Sequence, residues 1–131
     1  DFVIMSQLVH NCQTISYLDM PIYSYLVSNS NSILHQDKKK VRYQRMCTNM
    51  SIVYDWFIDN EEYAVSIDHL TYIYGWRMLK GGVPETIRDS SIKNLKRGIR
   101  HAKLFRHDYE TSLRKRIEVK IASLLNFPSY F

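Results

Sequence analysis

The stretch YQRMCTNMSIVYDWF, residues 43–57, decides the fold class. Tyr43, Met46, Cys47, Met50, Val53, Tyr54 and Phe57 recur at intervals of three and four, the repeat that aligns side chains along one face of an α-helix. Downstream the same period continues. Tyr63, Ile67, Leu70, Ile73, Tyr74 and Met78 form a second stripe, set off from the first by Asp59-Asn60 and by Glu61 and Glu62, acids that suit a helix N-terminus. Gly81-Gly82 is expected to stop that helix, and Pro84 with Glu85 to start the next. Ile92, Leu95, Ile99, Ala102 and Phe105 give a third stripe, and Leu113, Ile117, Ile121 and Leu124 a fourth that ends before Pro128. Residues 106–110 either separate these last two or continue one bent helix. Each apolar stripe needs a partner, and short connections favour antiparallel neighbours, so a helical bundle is predicted.

Upstream the pattern changes. Phe2, Met5, Leu8, Val9 and Cys12 predict a short amphipathic helix over 2–12. Residues 14–19 and 22–27 are rich in β-branched and aromatic side chains and are punctuated by Met20-Pro21, which predicts two short extended segments joined by a turn. Residues 28–32, SNSNS, carry only small polar side chains that bond locally to the backbone, so a loop is expected. The expected fold is therefore mainly α, a helical bundle with a short extended β pair near the N-terminus, divided into 1–36 and 37–131.

Composition sets the class. With 131 residues, 45% hydrophobic and 24% charged, the chain fits one folded domain able to bury roughly two-thirds of its unfolded surface. Cys12 and Cys47 have no zinc-ligand spacing and form no disulfide framework, which suits buried free thiols in a reducing compartment. No apolar run approaches the roughly 20 residues a spanning helix needs. Eighteen Lys and Arg against thirteen Asp and Glu give a net charge of +5. The excess gathers between Lys93 and Lys120, where ten basic residues face only Asp108, Glu110 and Glu118. Such a run either attracts phosphate or forms an ordinary solvated helix face.

Motifs for self-contained catalysis are missing from the sequence. Gly75, Gly81, Gly82 and Gly98 do not have the spacing of a phosphate loop, and His10, His35, His69, His101 and His107 make no metal-binding pair. The constellation that carries chemistry is the opening: Asp1, Leu8, the run Ile15–Leu18, Pro21-Ile22-Tyr23-Ser24-Tyr25, and Ser32-Ile33. In order and spacing these resemble the closing part of the catalytic domain of family-2 glycosyltransferases, bacterial inverting enzymes that use nucleotide sugars. In that family a Glu-Asp pair opens a helix, a hydrophobic segment leads into a Pro-Leu-Tyr-x-Tyr strand, and a loop ends in Ser-Ile. The resemblance covers about the first 36 residues.

The resemblance implies that Asp1 is the base that takes the proton of the acceptor hydroxyl, a role that a carboxylate held by free N–H groups at a helix start can fill. It also implies that Tyr25, Asn29, Ser30, Ser32 and His35 lie close to the donor diphosphate or the acceptor. Read alone, Asp1 is equally an N-cap and SNSNS an ordinary turn. The abrupt opening leads to the expectation that the chain is the C-terminal part of a longer enzyme, inactive by itself. The nucleotide-sugar-binding half, with its divalent Mg or Mn, would then lie upstream, and no metal ligand is assigned within these residues. The expected partners are that upstream half, a saccharide or lipid-linked acceptor, and a membrane surface touched through 93–120. Such an enzyme would be cytoplasmic or peripheral at the inner membrane face and would serve polysaccharide biosynthesis. Self-association through residues 1–30 is expected as well, since unpaired edges and apolar patches seek partners. The alternatives are a basic nucleic-acid-binding module using Arg97, Arg100, Lys103 and Arg106, the less favoured of the two, and a protein-interaction module.

Overall fold

The computed structural model describes residues 2–21, 39–58, 64–104 and 111–127. Five helices account for most of them: α1 (Phe2–Asn11), α2 (Lys39–Phe57), α3 (Ala64–Gly81), α4 (Asp89–His101) and α5 (Leu113–Leu124). The protein is mainly helical, as the periodicity predicts. Residues 13–21 carry no regular secondary structure, and the second predicted extended segment, 22–27, lies outside the described residues.

α3 is the centre of the assembly. Its most extensive contact is with α2, and it also packs on α4 and α5, so no single stripe describes it. Thr71, Tyr72, Tyr74 and Met78 are completely buried, and these positions span much of the helix circumference. α2 meets α3 through the stripe read from sequence, with Cys47, Met50, Val53 and Tyr54 buried. Leu95 and Ile99 of α4 and Val119 of α5 complete the core, closed at its end by Phe127. Burying each such large side chain contributes about 1.5–3 kcal/mol.

Three of the four glycines sit where helices cross. A Cβ on Gly75 would stand 2.5 Å from Val119 Cγ1, and one on Gly81 would stand 2.6 Å from Tyr43 Cβ. At Gly98 it would overlap the Tyr54 hydroxyl and sit 3.4 Å from Thr71 Oγ1. The absent side chains let the backbones of α3 and α4 approach their neighbours more closely than side-chain packing allows.

The helix ends follow local chemistry. Gly82 adopts φ 81° and donates its N–H to Met78 O at 2.8 Å, closing α3 with a left-handed glycine cap as Gly81-Gly82 predicts. Pro84 does not start α4. Pro84 instead opens a turn in which Ile87 N–H reaches Pro84 O at 3.1 Å, and the helix begins at Asp89, an acid in its first turn. α4 stops at His101, where Ala102 turns extended at ψ 137°, so the third and fourth stripes belong to separate helices. Two donors converge on the carbonyl at this end: Tyr72 Oη at 3.5 Å and Lys120 Nζ at 3.0 Å, both to Ala102 O. A cation at a helix C-terminus is favoured by the macrodipole. α5 starts at Ser112, whose side chain accepts from Lys115 N–H.

The fourth stripe is a correction. Leu113, Ile117, Ile121 and Leu124 are 41%, 43%, 53% and 74% exposed. α5 instead packs through Arg116, Val119, Ala122 and Ser123. At the close approach to Gly75 the helix presents Val119, with the small Ala122 and Ser123 beside it on the buried face, and the larger aliphatics are turned outward. α1 also keeps much of its apolar stripe exposed, including Met5, Leu8 and Val9, and touches α2 where His10 meets Trp56 edge-on at 4.7 Å.

Gly98→Ala is expected to destabilise the fold by about 1–3 kcal/mol, the typical cost of overpacking. An exposed control such as Lys93→Ala should stay within about 0.5 kcal/mol. Urea denaturation curves check this, and a Gly98→Ala midpoint equal to that of the unsubstituted chain would show that the α4 crossing has room to spare.

Candidate functional site

The residues that the resemblance singled out, Asp1, Tyr25, Asn29, Ser30, Ser32 and His35, lie outside the described residues. α1 begins at the position directly after Asp1. The described site lies elsewhere, in the cleft between α2 and α3, and sequence reading did not single it out.

Two adjoining cavities, about 380 Å³ and about 440 Å³, open there. His69, Ile73 and Arg77, spaced by four along α3, form the wall common to both. The smaller cavity is mostly polar and is completed by Tyr43 of α2, by Trp76, and by Thr111 and Lys115 at the start of α5. The larger is mostly apolar, lined by Met46, Asn49 and Met50 of α2 and Leu70 of α3. Both volumes fall in the range of about 300–1,000 Å³ usual for small-molecule sites.

Cations collect around the polar cavity. Lys80 Nζ stands 4.5 Å and Lys115 Nζ 5.5 Å from the centre of the Trp76 ring, cation–π distances to one indole. Arg77 lies 5.6 Å over the Tyr43 ring and directs Nη1 to Met46 Sδ at 2.8 Å. A thioether is a weak acceptor and an aromatic face a diffuse one, so neither partner neutralises the guanidinium. Among the described residues no Asp or Glu lines either cavity. The arrangement is suited to holding an anion beside an apolar group.

Beneath the cleft, burial pushes the Cys47 thiol up from 9.0 to about 12, opposed in part by the Arg77 charge. Burial also raises Tyr54 and Tyr74 above the ordinary phenol value. A thiol held protonated in this way is no nucleophile. Cys12, by contrast, is exposed, against the expectation that both thiols are buried. Among the described residues no group of three His, Cys, Asp or Glu side chains gathers to hold a metal ion, and no helix is long and apolar enough to cross a membrane.

The described members of the basic run between 93 and 120 do not form one surface. Lys115 turns to the cleft, Arg116 is buried, Lys120 caps α4, and Arg114 pairs with Glu118 at 2.8 Å. Lys93, Arg97 and Arg100 remain exposed along one face of α4, and Lys103 is exposed just beyond its end. The sequence signal for the cleft was a helix face that changes character along its length, polar at His69, apolar at Ile73 and cationic at Arg77. Reading the second stripe only for its apolar members passed over it.

Comparison of the chain with protein-family models, with curated proteins and with solved structures returned no match.

The raised thiol and phenols set an alkaline limit. In the unfolded chain the Cys47 proton leaves near 9.0, and in the folded chain it is held to about 12. The unfolded state therefore binds fewer protons across that window, and stability falls as pH rises through it. The urea midpoint at a pH of about 10.5 is expected to lie below that at about 8, and a thiol reagent at the lower pH should modify Cys12 while sparing Cys47 until the chain unfolds. Equal labelling of both cysteines in the folded protein would contradict the buried placement.

Proposed function

We propose that this chain is the C-terminal part of a bacterial family-2 glycosyltransferase that moves a sugar from a nucleotide-sugar donor to a saccharide or lipid-linked acceptor in polysaccharide biosynthesis, working in the cytoplasm or peripherally at the inner membrane face. The observation that carries this reading is the order of features over 1–33: Asp1, the helical run through Leu8, the stretch Ile15–Leu18, Pro21-Ile22-Tyr23-Ser24-Tyr25, and Ser32-Ile33. A helix over 2–11 followed by a non-helical stretch over 13–21 agrees with that order.

In this reading Asp1 is the general base. The acceptor hydroxyl attacks the anomeric carbon as its proton passes to the Asp1 carboxylate, and the nucleoside diphosphate departs with the electron pair of the broken glycosidic bond. Tyr25, Asn29, Ser30, Ser32 and His35 supply hydrogen-bond donors toward the diphosphate or the acceptor. The upstream half contributes the nucleotide site, and a divalent Mg or Mn there would neutralise charge on the leaving group. The helical body supports the catalytic end, and these residues alone are inactive.

A second reading, a nucleic-acid-binding module, draws on Arg97, Arg100 and Lys103, which are exposed together with Lys93, while Arg106 lies outside the described residues. Salt-titrated binding to duplex and single-stranded oligonucleotides tests it, with loss of all binding at physiological salt as the result that removes it.

For the transferase, the parent reading frame is expected to encode roughly 200 residues of alternating strands and helices ahead of Asp1, the size of a nucleotide-binding α/β half. In that full-length enzyme Asp1→Asn should lower kcat by about a hundredfold or more while donor affinity is kept, measured as transfer of labelled sugar. Unchanged transfer would discard the base assignment, and a parent frame with no such module would discard the family.

A further inference from the structure

We infer that the cleft between α2 and α3 is a binding site for an amphiphilic phosphate, a phosphate monoester of an aliphatic alcohol, with the phosphate held by Arg77 and Lys115 and the chain lying against Met46, Met50, Leu70 and Ile73. This rests on the cleft alone and stands whether or not the chain belongs to a transferase.

The division of the cleft carries the inference. Two cavities of about 380 Å³ and 440 Å³ meet at Ile73 and Arg77, one polar and cationic, the other mostly apolar. A ligand that fills both must carry an anion at one end and hydrocarbon at the other. Arg77 stands at the junction. Its guanidinium now meets Met46 Sδ at 2.8 Å and the Tyr43 ring, partners an anion would outcompete, because a charge-assisted hydrogen bond is roughly twice as strong as a neutral one. Lys115 lines the same cavity and stands over Trp76, and Lys80 adds positive charge near that ring without lining the cavity. Two lining cations, Arg77 and Lys115, with no carboxylate among the described lining residues, favour a dianion over a monoanion, which selects phosphate over a fatty carboxylate. The apolar cavity offers methionines, whose unbranched flexible side chains adapt to a hydrocarbon chain. Among its described lining residues Asn49 is the one amide, with His69 and Arg77 on the wall shared with the polar cavity, too little to read the edge of a nucleobase, so a nucleotide is disfavoured.

The test uses the full 131-residue chain with decyl phosphate, decanol, decanoate, inorganic phosphate and AMP, the amphiphiles kept below their micelle thresholds. Binding is read by isothermal titration and by the Trp fluorescence change that a ligand beside Trp76 produces. Decyl phosphate is expected to bind saturably at one site, at least about tenfold tighter than each of the other four. Arg77→Met keeps an apolar stem in the cleft and should cost decyl phosphate about tenfold or more while leaving decanol within about twofold. Lys115→Gln, on an exposed side chain that does not support the core, should weaken decyl phosphate in the same selective way. Arg88→Gln, on an exposed residue that lines neither cavity, should not.

Equal affinity for decanol and decyl phosphate, tighter binding of AMP or decanoate, or no saturable binding would each overturn the inference. So would equal losses in Lys115→Gln and Arg88→Gln, which would mark a diffuse response to the net charge. If Arg77→Met fails to fold, the Lys115→Gln comparison decides alone.

Discussion

Close approach of α3 to its neighbours governs this structure. A helix surrounded by three others must bury several faces at once, and it can do so only where side chains are small enough for the axes to converge. Gly75 and Gly81 on α3, and Gly98 on α4 facing Thr71, supply that room. The consequences spread outward. Val119 packs where a Cβ on Gly75 would be, so α5 turns the Arg116, Val119, Ala122 and Ser123 face inward and its leucines and isoleucines outward. Tyr54 takes the space over Gly98 and donates its hydroxyl to Asn94 O at 3.3 Å, tying α2 to α4 across the central helix. The glycines cost conformational entropy in helix interiors, about 1 kcal/mol each relative to alanine, and the tight contacts offset that cost.

Several polar groups inside the bundle find partners at helix ends and crossings. Ser91 donates to Asp55 between α4 and α2, and Thr71 returns its hydroxyl to Ile67 O at 2.7 Å within α3. Asp68 and Arg116 act on the Tyr72 phenol with opposite sign, the first raising it and the second lowering it, with burial the larger cause of its upward shift. The Tyr72 hydroxyl and Lys120 meet at the last carbonyl of the α4 turn, so the end of one helix is held by side chains from two others. Ser91 with Asp55, and Tyr72 and Lys120 with Ala102 O, thus link separate elements, and removing one partner there would leave the other desolvated.

The helices were legible because their period is a property of the chain alone. Cys47, Met50, Val53 and Tyr54 show the α2 stripe in sequence and are buried together in the fold. Leu95 and Ile99 do the same for α4. The face of α5 was not legible. Hydrophobicity singles out Leu113, Ile117, Ile121 and Leu124, whereas the choice of face was made by a glycine on a different helix, about 40 residues away, and no local pattern encodes that distance. The start of α4 was missed for a related reason: Pro84 is compatible with a helix start, but Ile87 is buried where a turn places it, and the turn prevails. The cleft escaped notice because Tyr43, Arg77 and Lys115 come from three helices, and only the tertiary fold brings them to one wall. For the resemblance at 1–33, order and spacing were all that the chain offered, and its assigned residues fall outside the described ones.

The breadth of the α2 and α3 contact bears on how the chain reaches this state. These helices are neighbours in sequence and share the largest interface, so bringing them together closes a short loop and loses little chain entropy. α5 docks against that pair, because the notch at Gly75 that receives Val119 exists only once α3 is in place.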